Sequence, residues 1–174
     1  MAWTTPETAV AGTTLTAAFL NTNLRDNTNF LYTPPMVQVY RTSDLTSYVA
    51  SSAITWQAEN YDTDSMWSSG TNVTINTSGI YLVEFSGLFS ASATLTAVFP
   101  EIQLNGTRVR LVRAGFTVTD SYFSIVSTLK LAATNTISAG IDAAGGSGYI
   151  LRGNANINNI ITTRMSVSWV GFAS

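Results

Sequence analysis

The spacing of apolar residues divides the chain at Pro34 and Pro35. Before the prolines, "LTAAFLNTNLRDN" and its continuation place Ala17, Leu20, Leu24, Asn27 and Leu31 at alternating steps of three and four. That is the period of one helix face, with a polar residue at one position of the seam. Thr14 or Thr16 offers a side-chain oxygen to the first free backbone N–H groups. The prolines lack a donor and restrict the residue before them, so the helix should stop after Leu31 and Tyr32. Phe19 and Phe30 lie off the seam and offer a second apolar contact. Two heptads make no stable helix alone in water. The helix must therefore dock on its own domain, on copies of itself or on another protein. The preceding residues are rich in Thr and Ala, with Pro6 and Gly12, and read as extended chain.

From Met36 onward the period switches to two, the period of strands half buried in a sheet. "MVQVYRT" and "AITWQ" read as the first two strands, followed by the turn-rich "ENYDTDSMWSSG" and the short "NVTIN". "TSGIYLVEFSGLFSAS" reads as a long strand with Tyr81, Val83, Phe85 and Phe89 on one face. "FPEIQLNGTRVRLVRA" predicts a hairpin turning at Asn105-Gly106, a strong two-residue turn signal. "SYFSIVSTLKLAATNTISAGIDA" predicts two strands joined near Ala133 to Asn135, and "RMSVSWVGF" closes the chain as an alternating strand. Between them, "AAGGSG" and the Asn-rich "RGNANINNIITT" read as irregular. Eight to ten short antiparallel strands with regular turns predict an all-β sandwich or jelly roll preceded by one short α-helix. The expected division is an arm and helix over 1–33 and a β domain over 34–174.

Composition narrows the function classes. Only 10% of the 174 residues are charged, against 45% hydrophobic, so the surface is polar through Thr, Ser and Asn rather than through charge. A net charge of -2 gives no basic surface with which to neutralise phosphates, so nucleic acid is not an expected partner. The absence of Cys removes disulfides, thiolate metal sites and a thiol nucleophile; the absence of His removes the commonest general base and metal ligand. "MAWTTPETAV" has no basic segment followed by an apolar run, and no stretch approaches the roughly 20 apolar residues of a membrane span. Neither a secretory signal, a membrane nor a cofactor is expected.

Two resemblances then become specific. The order "YDTDSMW", "SGIYLVEFSG", "IQLNG", "SIVSTLKLAATNTISAGI" and "SVSWVGF" resembles the C1q/TNF-like jelly-roll family over residues 36 to 172. Gly79 and Tyr81 enter the long strand, Asn105-Gly106 makes the hairpin, Leu129 and Leu131 end a Ser-rich strand, and Trp169, Gly171 and Phe172 finish the chain. The turn after Leu131 departs from the family, with "AATN" in place of a Gly-Asp pair. The resemblance implies a homotrimer that binds or assembles and does not catalyse. The N-terminal stretch, "W…TP…V..G..LTAA.LNTNLRDN..FL", resembles the leader of many tailed-bacteriophage virion proteins, including minor tail, fibre and head-decoration proteins. That resemblance implies attachment to a particle, or trimer initiation. The implied partners are further copies of the chain and a major capsid or tail protein. The implied location is the virion surface, after synthesis in the host bacterial cytoplasm. The residues that would carry attachment and assembly are Trp3, Pro6, Leu15, Phe19, Leu20, Leu24, Asn27 and Leu31. A capsid decoration or head fibre is the leading expectation. The alternative is a tail-tip or tail-fibre protein that binds a host surface glycan.

Three smaller clusters are candidates for chemistry. Asp62 and Asp64 fall on one side of an extended segment and could give oxygens to Ca²⁺, which needs six to eight; the competing reading is a pair of turn carboxylates. Glu84 shares a strand face with Ile80, Leu82 and Leu88 and needs a partner if buried, so a pair with Arg108 or Arg110, within or between subunits, is expected unless Glu84 stays wet. Tyr149, Arg152 and Asn154 sit in the most loop-like region and are the candidates for contacting a distal ligand; the competing reading is a plain connection with Tyr149 buried.

Overall fold

The computed structural model describes residues 4–8, 10–12, 14–46, 51–90, 97–113, 121–144, 150–153 and 163–172, with 143 and 144 by backbone alone. The N-terminal helix comprises α1 (Ala17–Leu20), a π-helical stretch (Asn21–Asp26) and α2 (Asn27–Tyr32). The strands follow as β1 (Met36–Tyr40), β2 (Ala58–Asp62), β3 (Val73–Thr74), β4 (Gly79–Ser90), β5 (Ala97–Leu104), β6 (Thr107–Leu111), β7 (Ser121–Leu131), β8 (Thr136–Ala144), β9 (Ile150–Leu151) and β10 (Arg164–Gly171). They form two antiparallel sheets, in the orders β2-β1-β10-β4-β7, with β9 also on β4, and β3-β8-β5-β6.

The alternation along β4 does what its sequence predicts. Tyr81, Val83, Phe85 and Phe89 are all buried, and Phe85 meets Phe123 edge-on at 4.9 Å and Trp56 at 6.3 Å. Val37 and Val39 of β1 and Met165 and Val167 of β10 extend that face, while Ile102 of β5 and Ile137, Ala139 and Ile141 of β8 supply the opposite layer. Gly79 opens β4 because the indole of Trp169 lies where a Cβ would stand. The β5–β6 hairpin turns at Asn105 (φ 50) and Gly106 (φ 75), the two left-handed residues its sequence signal requires.

The second strand is placed differently from expectation. "AITWQ" (53–57) buries Ile54 and Trp56 in alternation, but it forms no ladder: isolated bridges join Ala53 to Gly140 of β8 and Trp56 to Gly70, and Gln57 N–H donates to Tyr40 C=O of β1 at 3.1 Å. The ladder strand beside β1 is instead "AENYD", with a register shift between Gln38 and Val39.

The topology separates two ends. At one end lie the start of β1, the start of β4, the end of β10 and the N-terminal helix, together with the Asn105-Gly106 hairpin and the 132–135 turn. At the other end β4, β6 and β8 finish and β5, β7 and β10 begin. That end is fastened by Arg152, which pairs with Asp44 at 2.9 Å, while Gly153 N–H donates to the other Asp44 oxygen at 2.9 Å.

Candidate functional site

The helix begins as predicted: Thr16 Oγ1 accepts from Phe19 N–H at 3.1 Å, and the chain leaves helical geometry at Thr33 before Pro34 and Pro35. Its middle is wound more loosely than an α-helix, with the i→i+5 bonding of a π-helix. Along this stretch Phe19, Asn23 and Asn27, spaced by four, come to face the same neighbour, the chain's own N-terminal arm.

The two asparagines hold that arm by its backbone. Asn27 Oδ1 accepts from Thr4 N–H at 3.0 Å, and Asn27 Nδ2 donates to Thr4 C=O at 2.8 Å. One carboxamide thus satisfies both polar groups of one residue, as a neighbouring strand would. Asn23 Oδ1 accepts from Glu7 N–H at 2.8 Å, and Asn23 Nδ2 donates to Phe19 C=O at 3.0 Å. Both asparagines are buried, whereas Thr4, Thr5, Pro6, Glu7 and Thr8 are exposed. The arm is held by hydrogen bonds rather than by buried side chains. Cavities of about 280 and 300 Å³ flank it, both touching Glu7 and Phe19.

Phe30 fixes the helix to the sandwich. It is 1% exposed, edge-on to Trp169 at 5.0 Å and stacked near Phe172 at 6.1 Å, while Trp169 and Phe172 meet each other at 4.8 Å. Burying such a ring stabilises the docked helix by roughly 2–3 kcal/mol. The leucines do not share in this. Leu20 is 40%, Leu24 61% and Leu31 58% exposed, and Leu15 is exposed as well. The sequence seam is therefore split: its leucines stay in water, and Asn27, expected among them, is turned into the arm, bonded to Thr4 and, through Nδ2 at 3.3 Å, to Asn23 C=O. Trp3 lies outside the described residues.

The other candidates are resolved one by one. Among the described residues no ion pair joins Glu84 to Arg108 or Arg110; Glu84 accepts a long 3.5 Å bond from Ser124 Oγ. The expected pairing within one chain is corrected, because the two sets lie on different sheets and Arg108 is engaged elsewhere. It pairs with the buried Glu101 and, at 3.2 Å, with Asp142, and Gln103 Nε2 also donates to Glu101. Glu101 was not among the sequence candidates. Asp62 accepts from the N–H groups of Asp64, Met66 and Trp67 at 3.2, 3.0 and 2.8 Å, so it organises a turn. Among the described residues no cluster of three acidic groups stands ready for a metal. Arg152 is a strut on Asp44 rather than an open ligand contact, and Tyr149 and Asn154 lie outside the described residues.

Burial lowers the Arg41 pKa, against an opposing pull from Asp44; the guanidinium donates to Ser43 C=O at 3.1 Å and to Thr55 C=O. Burial, with the Asp64 charge second, raises the Tyr81 phenol, whose O–H donates to Thr77 C=O at 2.6 Å. Both groups fasten backbone and neither faces an open cleft. Among the described residues no helix is long and apolar enough to cross a membrane.

No protein-family model matches the chain, and no curated protein matches it in sequence. Solved structures do match its shape. The globular domain of zebrafish complement 1qA protein aligns with a TM-score of 0.56 at 10% identity, over 80% of this chain and 99% of that one. Murine APRIL, solved at pH 5.0, aligns with a TM-score of 0.56 at 11% identity, over 78% of this chain and 98% of that one. The fold is a C1q/TNF-like antiparallel jelly roll preceded by one short helix.

Proposed function

We propose that this chain is a non-enzymatic structural protein that assembles as a homotrimer through its β domain and fastens to a phage particle through its N-terminal arm and helix. The observation that carries the attachment reading is the split helix. One face is satisfied by the chain's own arm and by Trp169 and Phe172, and the opposite face leaves Leu20, Leu24 and Leu31 in water. An unpartnered apolar stripe at one end of a self-contained sandwich is a surface waiting for another molecule. Exposed apolar residues on the sheets support self-association in the same way: Leu82, Tyr122 and Val126 on β4 and β7, and Val109 and Leu111 on β6. The leader resemblance over Pro6, Leu15, Leu20, Leu24, Asn27 and Leu31 supports a virion as the partner, with a capsid decoration or head fibre as its leading form.

The mechanism is burial of apolar surface between subunits and between helix and shell, with three linked arms binding more tightly than one. Removing residues 1–33 should abolish particle binding while the β domain keeps its fold by circular dichroism and thermal melting. Undiminished binding would overturn the attachment reading. Copy number on purified particles separates a decoration protein, present many times, from a tail-tip protein, present a few times.

A further inference from the structure

We propose that Asn23 and Asn27 form a receptor for an extended peptide backbone, and that in the assembled protein its occupant is the arm of a second copy of this chain, residues 4–7. This rests on the homotrimer proposed above. Three features of the arm point to it.

First, the recognition is blind to sequence and to which copy supplies the strand. It consists of two bonds from Asn27 to the N–H and C=O of Thr4 and one from Asn23 to Glu7 N–H. A neighbouring copy offers the same groups. Second, nothing else described ties these residues to their own helix: their side chains are exposed and cavities flank the contact. Third, folding back has a visible cost. The chain reverses through Gly12 at φ +88, and the reversal leaves Val10 64% and Leu15 56% exposed beside the turn. Straightening that turn needs no left-handed residue and frees both apolar side chains to lie between helices.

Reach is not limiting. The chain from Thr4 to Thr16 extends to about 40 Å, whereas packed helices lie roughly 8–10 Å apart. Exchange of identical elements between copies loses no contact and interlocks the subunits, which makes it a low-cost route to a closed oligomer.

The chain has no cysteine, so introduced thiols are unique. Glu7 and Thr22 line the same cavity. Two full-length forms, Glu7→Cys and Thr22→Cys, would be co-produced with different tags, purified through both tags, and treated with a short bis-maleimide. Their oligomeric mass would be read by light scattering. A trimer that yields mixed covalent dimers, reduced about tenfold when N23A and N27A are added to both forms, is the expected result. A trimer without mixed dimers, in which the E7C/T22C double variant cross-links only within one chain, overturns the exchange and leaves the trimer standing. Mixed dimers undiminished by N23A and N27A overturn the role of the two asparagines. A monomer overturns the exchange together with the homotrimer.

Discussion

The β sandwich and the N-terminal region are built on different economies of contact. The sandwich closes a continuous core, with Val83, Phe85, Ile102, Ile137 and Val167 all removed from water from both sheets. Among the described residues, the N-terminal region has one comparable anchor, Phe30, and otherwise shows two asparagines and a few hydrogen bonds. A short helix is marginal by itself. The leucines of this one stay exposed even with Phe30 docked on the sandwich. Under the attachment proposed above, the difference is a division of labour: one region carries its stability within itself, and the other offers exposed apolar surface to a partner.

That contrast can be broken at four points. The largest effect falls in the sandwich. Phe85→Ala removes a ring at the centre of the core and should cost about 3–5 kcal/mol of global stability by denaturant unfolding. A loss under about 1 kcal/mol would mean the core is looser than its burial indicates. Phe30→Ala should cost about 2–3 kcal/mol, felt locally. Hydrogen exchange should lose protection over 17–32 while β4 and β7 keep theirs, and a global change would show that helix and sandwich are one cooperative unit. Asn27→Ala should cost about 1–2 kcal/mol of arm docking and speed proteolysis of residues 4–8, with the thermal midpoint nearly unchanged. The smallest effect on stability belongs to Leu24→Ser, within about 0.5 kcal/mol of the parent by denaturant unfolding. The same change should sharply weaken particle binding in co-sedimentation; intact binding would remove the leucine face from the attachment surface.

What could be read from sequence followed the side-chain period. β7, β4 from Gly79 to Gly87 and β10 from Arg164 to Ser168 alternate because one face of each meets the core, and the Asn105-Gly106 turn is set by backbone chemistry that few other pairs supply. The 53–57 segment shows the limit of the same signal. Ile54 and Trp56 alternate because they are buried, yet burial does not require a ladder; Ile54 N–H finds Ala139 C=O and Trp56 N–H finds Gly70 C=O singly. The edge strand β2 has too little burial to alternate.

The helix seam was legible as apolar spacing but not as geometry. A run of "NTNLRDNTN" is poor helix material, because Asn side chains compete for backbone groups. Two Asn residues four apart were the available sign that such competition had been put to use on the arm. The Glu101–Arg108 pair was hidden by the register shift between Ile102 and Gln103, which sets Arg110 opposite Ile102 rather than opposite Glu101. Glu101 and Gln103 alternating with apolar residues opposite an Arg-rich strand was the one clue to it. The segments around Tyr149 and Asn154 offered composition alone, and composition does not place a binding residue.

The most direct test of the division of labour is the molar mass in solution of the full chain beside that of a chain starting at Met36. Light scattering should give about 56 kDa for the first, three times 18.6 kDa, and three times its own monomer mass for the second. Both results together would place the driving force for assembly in the β domain and leave the leucine face of the helix for attachment. A monomeric shortened chain would contradict the account, because assembly would then belong to the region that holds its apolar surface in reserve.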